Sequence, residues 1–147
     1  MACQHTYSDK ISYLLMQIAR LHRTNAGKLL GRIDIHPGQE FILMQLWKED
    51  GLMPSQLANR LGVQPPTVTK MLQRMEVTGL IERRSYAEDS RVSHVYLTEQ
   101  GRATRNDVEA VWNQIEECII RDLSVEEHVI LRRLLIQIKS NLATFEP

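Results

Sequence analysis

Thr67, Thr69, Lys70, Gln73 and Arg74 fall at spacings that put them on one side of a helix, opposite Val68, Met71, Leu72 and Met75. Hydroxyl, amide, ammonium and guanidinium groups collected on one side can bond phosphates or base edges, while the apolar set anchors the helix to its own domain. Glu76 is the one acid on the outward side, and it stands at the end remote from the helix N-terminus. Arg83 and Arg84 follow shortly afterwards, then Asp89 and Arg91. Successive residues of a strand point to opposite faces. One of Arg83 and Arg84 is therefore expected to reach a phosphate, and the other to pack or to pair with an acid.

The rest of the chain holds little chemistry of other kinds. It has no G-x-S-x-G turn, no phosphate-cradling glycine loop and no cysteine–histidine pair with a third orienting group, so an enzyme is not expected. Glu116-Glu117 and Glu126-Glu127 are adjacent on helical segments and diverge instead of converging. His5, His22, His36, His94 and His128 show no spacing that sets two ligands on one helical face, and neither a metal nor a cofactor is expected. Cys3 and Cys118 make no disulfide framework, which suits a reducing cytoplasm. Cys3 reads as an inert terminal thiol, with a redox sensor as the alternative, and Cys118 as a core or interface residue, with His22, Trp47 and Trp112 in the core. Trp47 is also a candidate to line an effector pocket.

Charge is balanced over the whole chain, 18 basic against 18 acidic residues, which argues against a protein that coats polyanions generally. It is nevertheless segregated. Residues 52–98 hold six Lys/Arg against four Asp/Glu, whereas residues 99–147 hold six against nine. A basic middle and an acidic end fit one lobe that meets a polyanion and another that does not. No apolar run approaches the roughly 20 residues of a membrane-spanning helix, and the N-terminus lacks the layout of a secretory signal.

Stepwise apolar spacing then supplies the elements that must hold these side chains. Ile11, Leu14, Leu15, Ile18 and Leu21 predict a long first helix ending near Gly31, and Phe41 to Trp47 a second that stops by Gly51. Pro54 opens a short third helix that Gly62 closes in a left-handed cap. Pro65-Pro66 opens the fourth, which carries the outward polar set and ends at Gly79. Leu80–Arg84 and Ser93–Leu97 read as strands of a hairpin joined through Ser85–Val92. Val108, Val111, Trp112, Ile115 and Ile119 mark a long fifth helix. Ser124 with Glu127 is a capping box that starts a sixth, with Leu131, Leu134, Leu135, Ile138 and Leu142 along one side.

The expected fold is mainly α with a small β-hairpin wing, in the order α-α-α-α-β-β-α-α. Two short helices joined by Gly62-Val63-Gln64 and followed at once by a hairpin have the layout of a winged helix-turn-helix, whose second helix enters the DNA major groove. The expected division is a DNA-binding lobe at 35–100 and a helical dimerisation lobe from 1–34 and 101–147. A winged-helix protein-interaction module that has lost DNA binding is the alternative. It is disfavoured because Lys70, Arg74 and Arg91 are all present.

Residues 89–101, Asp-Ser-Arg-Val-Ser-His-Val-Tyr-Leu-Thr-Glu-Gln-Gly, resemble the D-x-R…L-T-x-x-G signature of the multiple-antibiotic-resistance regulator (MarR) family. The resemblance continues upstream through Gln56-Leu57-Ala58, Leu61-Gly62-Val63, Val68–Leu72 and Gly79-Leu80-Ile81. Pro65-Pro66 departs from it, standing where the family has a Ser-rich start to the recognition helix. The resemblance implies a homodimeric, ligand-responsive transcription regulator, more often a repressor, with double-stranded operator DNA and a small-molecule effector as partners. It also implies that Arg91, at the wing tip, enters the minor groove, with Asp89 orienting Arg91 or capping the turn. Phosphate contacts are expected from Arg83 or Arg84 and from the helix start at Pro54–Gln56. Thr98 is expected as a helix N-cap, and Gly101 as a point of close packing.

Overall fold

The computed structural model describes residues 7–86 and 91–146. A 3-10 turn at Tyr7–Asp9 precedes α1 (Ile11–Gly31), α2 (Gln39–Lys48), α3 (Pro54–Leu61) and α4 (Pro65–Val77). Strands β1 (Ile81–Ser85) and β2 (Ser93–Leu97) follow, then α5 (Glu99–Ala103), α6 (Arg105–Ile120) and α7 (Val125–Ala143). The architecture is the expected mainly helical fold with a two-stranded wing. None of the described helices is long and apolar enough to cross a membrane.

Local chemistry sets most boundaries. Pro54 and Pro65-Pro66 stand in the first turns of α3 and α4, where the missing N–H costs nothing. Gly62 ends α3 at φ 62° and Gly79 follows α4 at φ 77°, left-handed positions that favour glycine. The Thr98 hydroxyl caps α5 by accepting from the Gly101 N–H. Ser124 and Glu127 form the reciprocal capping box at the start of α7.

The expected fifth helix is interrupted at Thr104. The carbonyl of Gly101 accepts from the Trp47 indole N–H at 3.2 Å and from the Thr104 hydroxyl at 2.7 Å. Those two donors occupy the acceptor that a continuous helix would give to the following turn, which accounts for the short α5. A Cβ on Gly101 would overlap the Leu80 carbonyl oxygen, so only glycine allows α5 this close to the base of the wing.

The chain divides into two compact units, residues 1–112 and 113–147. In the first, Ile42, Leu43 and Leu46 of α2, Leu57 of α3, and Val68, Leu72 and Met75 of α4 are buried with Leu80, Ile81, Val95 and Leu97 of the wing. Side chains of this size each contribute about 1.5–3 kcal/mol when fully buried. The strands pair antiparallel, Ile81 opposite Leu97 through Ser85 opposite Ser93. Leu52 adds a bridge to Val95, so the α2–α3 connection extends the sheet by one rung. In the second unit, α7 has no buried residue, and Val125, Val129, Ile130, Leu134, Leu135, Ile136 and Leu142 are exposed. Cys118, expected in the core or at an interface, is exposed on α6 in the single chain.

Candidate nucleic-acid interface

The two faces of α4 are the two that the apolar spacing predicts. Val68, Leu72 and Met75 are buried and Met71 is half-buried, whereas Thr67, Thr69, Lys70, Gln73 and Arg74 are all exposed. Thr69 has part of its capacity taken, since its hydroxyl donates to the Pro65 carbonyl at 3.0 Å. That hydroxyl can still accept.

Ion pairing separates the cations of this region into two groups. Arg60 is paired with Glu49, Arg83 with Glu76 and Arg84 with Glu82. Lys70 and Arg74 have no acid within ion-pair distance among the described residues, so both present an uncompensated charge on α4. The consecutive arginines of the wing diverge as strand geometry requires. Arg83 is half-buried and lies with its Nε 3.0 Å from Glu76 Oε2, which neutralises the one acid on the outward side of α4. Arg84 is exposed. Its Nε donates to Glu82 at 2.8 Å, and its guanidinium stands 4.4 Å from the centroid of the Tyr96 ring.

Arg84 belongs to a wing cluster that spacing did not disclose. The Tyr86 and Tyr96 hydroxyls are hydrogen-bonded, and the Tyr86 ring meets His94 edge-on at 5.2 Å. Antiparallel register is what brings these residues together, because Arg84 faces His94 across the hairpin. The wing is tied down at its base by Asp50, whose carboxylate accepts from the Leu97 N–H at 2.9 Å and from Arg102 at 2.9 Å.

Arg91 is exposed where the chain returns into β2. Asp89 lies outside the described residues, so the geometry of the Asp89–Arg91 pair is not part of this structure. Cys3 and His5 lie outside them as well. At the start of α3, Gln56 is used locally: its side-chain oxygen accepts from the Met53 N–H at 2.8 Å, and exposed Ser55 has no side-chain hydrogen bond among the described residues. Trp47 is half-buried and pinned to Gly101. His22 is half-buried with its ring 5.9 Å from that of Trp112, and the Phe41 ring is also 5.9 Å from Trp112.

His36 is a further member that sequence reasoning passed over. It stands in the turn before α2 and lines one groove with Lys70, Gln73 and Arg74. Nothing in the local pattern marks it, because the turn meets α4 only through tertiary packing.

Residues 35–93 match the family model described as MarR family. Among solved structures, the chain is similar to the S. aureus protein MepR in its complex with DNA, at 27% identity and a TM-score of 0.78 over 93% of this chain and 99% of that one. It is equally similar to MarR itself, at 25% identity and a TM-score of 0.78 over 92% and 98% of the two chains. A MarR transcriptional regulator from Methanosarcina mazei shares the fold at 24% identity and a TM-score of 0.78, over 92% of this chain and 98% of that one. Residues 35–93 thus match the MarR family over the winged lobe, and the fold of the MarR structures continues over nine-tenths of the chain.

Proposed function

We propose that this protein is a sequence-specific DNA-binding transcription regulator that acts as a homodimer on a pseudo-palindromic operator. The observation that carries the reading is the outward side of α4, where Thr67, Thr69, Lys70, Gln73 and Arg74 are exposed together and the single nearby acid, Glu76, is held by Arg83. A helix that presents donors and uncompensated cations while burying its opposite side is built for a polyanion with readable edges. MepR, similar over nearly the whole chain, has been solved on DNA, which supports the same use of this lobe.

In this reading α4 lies in the major groove and Arg91 reaches the minor groove, with Asp89 as its orienting partner. Arg84 is the wing arginine assigned to a phosphate, because it is exposed and can exchange its surface pair with Glu82, whereas Arg83 is half-buried against Glu76. Homodimerisation is supported by apolar surface left open on the single chain: Ile11, Leu14, Ile18 and Leu21 on α1, and the row from Val125 to Leu142 on α7. A second copy covering each stripe would make an isologous two-fold pair, with recognition helices about one DNA turn (~34 Å) apart. The dimerisation lobe is then 1–34 with 101–147, and the DNA lobe 35–100. Repression, control by a small-molecule effector and a cytoplasmic location complete the proposal, supported by the family resemblance.

Selection of bound duplexes from a random DNA pool tests the reading directly. A two-fold symmetric motif with half-sites about one helical turn apart is expected. Absence of any enriched motif, with a protein partner captured instead, would replace it with the interaction-module alternative.

A further inference from the structure

We infer that His36 is a DNA-backbone contact, seating a phosphate in the groove between the His36–Gly38 turn and α4. The inference rests on the DNA-binding reading above and extends it to an element outside the helix-turn-helix and the wing. The groove measures about 420 Å³ and is lined by His36, Lys70, Gln73, Arg74, Val77 and Thr78, with no carboxylate among them. The turn is held against α4 by close packing: Gly38 has φ 100°, and a Cβ placed there would come within 3.1 Å of the Met71 sulfur. His36 is anchored through its backbone, whose N–H donates to the Gln39 side chain at 3.0 Å, and the residue is exposed and lines the groove.

Geometry explains why a phosphate should arrive there. A helix lying in the major groove has a phosphate backbone along each flank, and the groove about 12 Å wide leaves little room beside the helix. The His36–Gly38 turn is packed along one flank of α4, so the backbone on that side must pass over it. Lys70 and Arg74 supply charge from the helix, and His36 supplies an N–H donor from the opposite bank. Such a contact fixes register and carries no sequence information.

The test is an anisotropy titration of the full-length protein with a mixed-sequence duplex across a sodium chloride series, because a phosphate contact does not depend on sequence. His36→Ala is expected to weaken binding about threefold to tenfold for each half-site at fixed salt, the loss of one hydrogen bond in each. His36→Lys is expected to restore affinity and to steepen the salt dependence by about 0.9 per half-site, since an ammonium at a phosphate releases a counterion. A merely structural role would not produce that steepening, and thermal melting of both variants checks the fold. If both variants bind as the parent does, while Lys70→Ala weakens binding, the groove holds no phosphate and this inference alone is overturned. If the parent shows no salt-dependent duplex binding, the DNA reading falls and this inference with it. Thermal stabilisation of the DNA-free parent by inorganic phosphate, lost in His36→Ala without change in duplex binding, would assign the groove to a free anion instead.

Discussion

Arg83, on the first strand of the wing, holds Glu76, on the last turn of the recognition helix, with guanidinium Nε 3.0 Å from the carboxylate. The pair does two things at once. It fixes the wing's angle to α4, and it cancels the only negative charge on the outward side of that helix.

The pair predicts a non-additive mutant cycle. Arg83→Ala frees the Glu76 carboxylate to face the phosphates, and should weaken duplex binding although Arg83 itself touches no DNA. Glu76→Ala in the same background should recover most of that loss. The pair is partly exposed, so a coupling of about 0.5–1 kcal/mol is expected. Titrations of the two single variants and the double variant at fixed salt measure it, and simple additivity would show that the pair is decorative.

Arg91 carries a different expectation. Arg91→Ala should weaken operator binding by about 1–3 kcal/mol, the loss of one groove contact, with the fold intact. The loss should be larger on duplexes with A·T-rich flanks, where a narrow minor groove concentrates negative potential. Equal losses on A·T-rich and G·C-rich flanks would move Arg91 from the minor groove to the backbone.

The dimer can be tested on α7 alone. Truncation after Leu123 removes the whole apolar row and should leave a monomer by sedimentation. Because that deletion is large, Leu135→Glu is the sharper variant: Leu135 is 44% exposed in the single chain, so a charge there should not unfold a lone protomer. Monomers with native helical content are expected. A dimer that persists in both variants would place the interface elsewhere.

How much of this was legible in sequence follows the reach of the interactions involved. The division of α4 into a buried and an outward side depends only on helical period, and every assigned residue fell on its expected side. The caps at Thr98 and Ser124 and the left-handed turns at Gly62 and Gly79 depend on residues three or four apart, and they too were readable. What could not be read depends on distant partners. The break at Thr104 is set by the Trp47 indole, 54 residues from its acceptor Gly101. The division of labour between Arg83 and Arg84 is set by Glu76 on one element and Tyr96 on another. Only the packing of α4 against the turn puts His36 beside Lys70 and Arg74.

Glu40 gives the clearest dependence on pH. It is 4% exposed at the start of α2, and burial pushes its carboxyl above the usual glutamate value of 4.5, against the opposing pull of its own and the Gly38 N–H and of His22 on α1. Of these, the Gly38 N–H donates at 2.7 Å. A carboxyl whose folded pKa exceeds its unfolded pKa binds more protons in the native state, so its contribution falls as pH rises through the window between the two values. The direction is opposite to that of a salt-bridged acid. Glu40→Gln keeps an acceptor for the Gly38 N–H and removes the charge. The variant should therefore match or exceed the parent in stability at neutral pH, and should lose the part of the decline that begins near pH 4.5. Denaturant melts at a series of pH values from 4 to 8 would measure both curves. A variant that is less stable than the parent at pH 7 would mean that the backbone N–H bonds to the Glu40 carboxylate, not its burial, govern the start of α2.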